Sequence, residues 1–124
     1  MQKLFLTLGS IAMALAVALG AFGAHGLKSK LTQDMLDIFE TGVQYHFYHA
    51  VGLLIIGLVA NYLPESSMLK WSGWLMLSGL LIFSGSLYVL SISGLRWLGA
   101  ITPIGGLCFI ASWILLATAV WKGF

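Results

Sequence analysis

Gln44-Tyr45-His46-Phe47-Tyr48-His49 places two histidines, a glutamine and two tyrosines at the start of an apolar run. Polar and titratable groups are expensive near hydrocarbon, so they mark function unless packing explains them. His46 and His49 are three apart and share a helical face. His25 ends the preceding apolar run. Three imidazoles, with Glu40 or Asp37 as a fourth donor, would suit a zinc-type site. The pattern argues against one, since it has no His-Glu-x-x-His spacing and no cysteine partner. His25, His46 and His49 are therefore weak metal candidates, and no cofactor is assigned.

The same side chains suit a proton relay, because histidine titrates near neutrality and hydroxyls pass hydrogen bonds onward. A relay through one subunit needs a titratable group in both halves of the membrane, and the other half has none. A pore between subunits is the transport alternative. Ser84-Gly85-Ser86 beside a histidine could be drawn as a nucleophilic dyad. It lacks the Gly-x-Ser-x-Gly elbow, so serine and glycine at helix contacts explain it better. A non-enzymatic protein is the expectation, with a metal-dependent membrane enzyme as the other alternative.

The elements that must position these groups follow from composition. The 124 residues are 60% hydrophobic and 8% charged, against about 25% charged in a soluble domain. A small soluble fold buries only roughly two-thirds of its surface, too little to hide this much apolar area. The solvent for much of the chain is lipid. A formal charge of +2 without a basic run excludes a nucleic-acid binder. Cys108 is the only cysteine, so no intrachain disulfide forms.

Four runs approach the ~20 residues that cross the hydrocarbon core as a helix: residues 4–24, 45–63, 72–92 and 99–121. Lys3 and the run after it resemble a secretory signal, but apolar character continues through Ala24, so it reads as a retained span. The runs are continuous rather than alternating, which excludes a barrel. Short connections make successive helices antiparallel neighbours. The expected fold is an all-α four-helix transmembrane bundle in one domain, residues 1–124. Between Leu31 and Val43 apolar residues recur with a helical period, opposite Asp34, Asp37 and Thr41. With Thr32 as N-cap, this predicts a short amphipathic interfacial helix over residues 32–43, lying along the membrane surface.

Small residues Ala12, Ala16, Gly20 and Ala24 recur every four positions and would admit a close neighbour, as would Gly85, Gly105 and Gly106. Tyr62, Trp71, Trp74 and Trp121 belong near one membrane face, and Tyr45, Tyr48 and Trp97 near the other. Lys3, Lys70 and Lys122 lie on one side, against Lys28, Lys30 and Arg96 on the other. This balance leaves orientation undecided, although an even number of spans puts both termini on one side. Topology also gathers His25, Gln44, Tyr45, His49, Ser84, Ser86, Tyr88, Thr102 and Pro103 in one leaflet. These are the expected ligand-binding residues.

Four stretches in this order carry a family likeness: Gly20-Ala21-Phe22-Gly23-Ala24-His25-Gly26-Leu27, Gln44-Tyr45-His46 with His49, Phe83-Ser84-Gly85-Ser86-Leu87-Tyr88, and Ile101-Thr102-Pro103-Ile104-Gly105-Gly106. The chain resembles the DUF423 family of small membrane proteins, related to the eukaryotic transmembrane protein 256 family. The resemblance implies a bacterial four-helix inner-membrane protein with cytoplasmic termini. It implies no activity or catalytic residues. It covers His25 and His49 more closely than His46, so Gln44 and His49 rank above His46. The functional expectation is a polar chamber in one leaflet that binds a membrane lipid, a small amphiphile or a partner helix, in a chain that is monomeric, homo-oligomeric or paired with another membrane protein.

Overall fold

The computed structural model describes residues 1–124, and all of its regular structure is helical. Helix α1 spans Gln2–His25, α2 Gln33–Ala60, α3 Ser67–Ser93 and α4 Thr102–Gly123, with a 3₁₀ turn at Arg96–Ala100 before α4. All four are long and apolar enough to cross a membrane. The ends follow local chemistry. Thr32 Oγ1 accepts from Met35 N–H at 3.3 Å and starts α2. Ser66 Oγ accepts from Leu69 N–H at 3.2 Å and starts α3. Gly94 ends α3 in the left-handed conformation, φ 75°. Pro103 sits in the first turn of α4, where its missing N–H costs no helical bond.

A separate interfacial helix does not form. The amphipathic stretch is the first third of α2, which runs unbroken from Gln33 to Ala60. Its period is real, but its apolar face turns inward. Leu36 and Phe39 are buried, with Phe39 against Gly23 of α1 and against the Tyr88 ring of α3. The residues after it contain no proline and no left-handed glycine, so nothing in the backbone interrupts the helix.

Each helix packs chiefly on its neighbour in sequence: α1 on α2, α2 on α3, α3 on α4. The inner pair, α2 and α3, carries most of the buried residues. Lipid is as apolar as leucine, so close packing and hydrogen bonds must hold these helices together. Glycine supplies the approach. A methyl on Gly9 would lie 3.0 Å from the backbone nitrogen of Leu54, and one on Gly105 would lie 2.5 Å from that of Phe83. The predicted stripe on α1 is shifted: Gly9, Ala12, Ala16 and Gly23 are buried, whereas Ala24 is exposed. Gly85, expected at a contact, has nothing within 4 Å of where its Cβ would stand.

The apolar core lies in the half nearer the termini, built on Phe5, Leu53, Ile56, Leu69, Met76 and Leu116. That half holds one buried polar pair the sequence reading missed. Ser72 Oγ donates to the Ser112 carbonyl at 2.7 Å, and Ser112 Oγ donates back to the Ser72 carbonyl at 2.6 Å.

Candidate functional site

The other half holds the polar groups, as topology predicted, but they do not line one chamber. They divide among the helix seams. Between α2 and α3, Ser84 Oγ donates to the Gly42 carbonyl at 2.7 Å, and His46 Nδ1 lies 2.8 Å from the Tyr88 hydroxyl. Gly42 makes room, since a methyl there would stand 2.9 Å from the Tyr88 ring. Between α3 and α4, Ser86 donates to the Phe83 carbonyl at 2.8 Å, and its hydroxyl lies 2.6 Å from that of Thr102. Pro103 is exposed beside Thr102. His49 Nδ1–H donates to the Tyr45 carbonyl at 2.7 Å, and its ring stacks on Phe109 of α4 at a centroid distance of 3.4 Å. On the outer face of α2, Gln44 Nε2 donates to the Tyr48 hydroxyl at 2.7 Å.

The three histidines part company. Positions three apart on a helix differ by about 60° in direction. That offset sends His46 toward α3 and α1, and His49 toward α4. His25 is exposed at the end of α1. No group of three or more His, Cys, Asp or Glu side chains comes together to hold a metal ion. Ser84, Ser86 and Thr102 spend their hydroxyls on bonds between or within helices, which is structural work.

His46, ranked below its neighbours from sequence, is the exception. It is 3% exposed, and its Nε2 is the one buried side-chain nitrogen or oxygen without a hydrogen-bond partner. The ring neighbours the Ala12 backbone of α1, and Nε2 itself is closed off from solvent. The imidazole tautomer sets the direction of the bond between Nδ1 and the Tyr88 hydroxyl. A buried polar atom left unpartnered costs about 1–3 kcal/mol in desolvation.

His46 also lines a groove between α1 and α3. Phe5 wedges these helices at one end, packed against Gly73 and edge-on to Trp74 at 5.7 Å. Beyond Phe5 they separate, leaving a groove of about 340 Å³. Leu8, Ile11, Leu15, Leu77 and Leu81 make its apolar walls, with His46, Ser84, Gly85 and Tyr88 also in its lining. No signal in the sequence marks this groove, because Gly85 reads there as a contact glycine and its open surroundings emerge only from the packing.

A bundle of four apolar helices held by glycine contacts and serine bonds defines a multi-pass membrane protein. The chain belongs to the family described as "Protein of unknown function (DUF423)", whose model matches residues 19–106. It is similar to the UPF0382 membrane protein YwdK of Bacillus subtilis, 50% identical over 121 residues, covering 98% of each chain. It is also similar to UPF0382 membrane proteins of Staphylococcus haemolyticus, 47% identical over 98% of each chain, and of Staphylococcus saprophyticus, 44% identical over 98% of this chain and 99% of the relative. No solved structure matches.

Proposed function

We propose that this protein binds a membrane amphiphile, seating one hydrocarbon chain in the groove between α1 and α3. The carrying observation is the groove itself, walled by leucines of α1 and α3 and continuous with the open space at Gly85. A hydrocarbon chain would lie on the leucines, with the buried His46–Tyr88 pair closing the groove beside it. His46 lies five residues beyond Thr41, where α2 becomes apolar, a depth of roughly 7–8 Å at the helical rise. That depth suits the upper methylenes of an acyl chain. The membrane is read as the bacterial cell membrane with both termini cytoplasmic, which reporter fusions at Met1 and Phe124 would check.

The test is photo-crosslinking in nanodiscs with a phospholipid carrying a diazirine on one chain. Label should concentrate on residues 11–19 and 77–88 over the outer face of α4. Gly85→Leu should remove that excess, because the new side chain occupies the groove and clashes with nothing at its base. Even labelling of all lipid-facing surfaces, or labelling unchanged by Gly85→Leu, would refute the reading.

A further inference from the structure

On the opposite flank of α1 lies a second groove, of about 330 Å³, with different chemistry. Its α1 wall is Gly20, Gly23 and Ala24, which present almost no side chain. Its α2 wall carries Glu40, Gln44 and Tyr48 at successive four-residue intervals, so they stand in a row one turn apart. All three are exposed. Gln44 uses its Nε2 on the Tyr48 hydroxyl, which leaves its carbonyl oxygen free. The Glu40 carboxylate has neither an ion-pair nor a hydrogen-bond partner. The row therefore offers an anion at the membrane boundary, then a neutral acceptor one turn deeper, then an aromatic face. Phe47, 41% exposed, continues the apolar surface of the same groove.

We infer that this groove is a head-group site for a lipid bearing a primary ammonium. Charge selects the ligand: the unpaired Glu40 carboxylate takes a cation, and the groove opens where lipid head groups lie. Donor count selects among cations. A primary ammonium has three N–H donors, enough for the Glu40 carboxylate and the Gln44 carbonyl together. A trimethylated ammonium has none and keeps only the attraction to the Tyr48 ring. The missing side chain at Gly20 leaves the first methylenes space beside α2, since a methyl there would meet only Val43, at 3.4 Å, whereas Phe39 already fills the space at Gly23. This site shares no residue with the α1/α3 groove, so either can fail without the other.

The experiment uses the intact protein in nanodiscs of equal phosphatidylethanolamine and phosphatidylcholine with matched chains. Lipid retained on the protein is read by native mass spectrometry. Phosphatidylethanolamine should be retained about tenfold over phosphatidylcholine, the ratio expected for one charge-assisted hydrogen bond. Mono- and dimethylated head groups should fall between, in order of N–H donors lost. Glu40→Gln should bring the ratio close to one, and Gln44→Leu should reduce it; both positions are exposed, so the fold tolerates them. Gly85→Leu should leave the ratio unchanged. Equal retention of the two lipids in the native protein, a preference that survives Glu40→Gln, or a preference abolished by Gly85→Leu would each overturn the assignment.

Discussion

Gly105 and Gly85 lie on facing helices, and the same substitution should move stability in opposite directions. At Gly105 an added methyl would stand 2.5 Å from the backbone nitrogen of Phe83 and 2.9 Å from its Cα. These are backbone atoms and cannot rotate away. Restoring ordinary contact requires α3 and α4 to separate by about 1 Å, a gap that forfeits a quarter to a half of each dispersion contact across it. The 2.6 Å bond between Ser86 and Thr102 spans the same seam and would stretch with it. Overpacking of this kind costs about 1–3 kcal/mol. At Gly85 the methyl meets nothing within 4 Å. There alanine should gain about 0.5–1 kcal/mol from reduced backbone freedom in a helix. The two variants should therefore differ by roughly 1.5–4 kcal/mol. Far-UV circular dichroism during titration of a mild-detergent sample with sodium dodecyl sulfate would measure this. If Gly105→Ala is as stable as Gly85→Ala, the close backbone approach is not what joins α3 to α4.

Other expectations are narrower. Ser72→Ala and Ser112→Ala should each destabilise by about 0.5–1.5 kcal/mol, and because each hydroxyl donates to a backbone carbonyl that alanine keeps, the double variant should cost close to the sum. A double-mutant cycle should give a coupling of no more than ~0.5 kcal/mol, the range of additivity; a larger coupling would show that the two hydroxyls bond each other instead. Gly94→Ala should cost about 1–2 kcal/mol, since the residue holds φ 75°; the unfolding midpoint checks this. Tyr88→Phe should cost about 1 kcal/mol by removing the partner of His46 Nδ1 while keeping the ring over Gly42. Unchanged stability there would show that the His46–Tyr88 bond contributes nothing.

The helices were legible because length and continuous hydropathy decide spanning segments with little help from packing. Thr32 was legible because a cap is a local device. The join at Thr41–Gln44 was not: polarity changes there, and polarity resembles a break, yet only backbone chemistry ends a helix. The polar residues were legible by depth but not by direction. Counting residues along a span gives a leaflet. Assigning Gln44, His46 and His49 to three different faces needs the rotation of α2 against α1, α3 and α4, which glycine contacts such as Gly42 with Tyr88 determine. Ser72 and Ser112 escaped notice for a related reason, since each matters only when the other is opposite it.

The neighbour-to-neighbour order of packing bears on how the protein is made. Helix α1 finds its main surface on α2, the next segment to emerge from the ribosome, and no helix waits for a distant partner. Contacts this local close short loops, so assembly should be rapid and should proceed hairpin by hairpin during insertion. It also makes the last segment separable. A chain ending after Gly94 would lose the Ser72 and Ser86 partners and bare His49 on one side, yet keep both surfaces that flank α1.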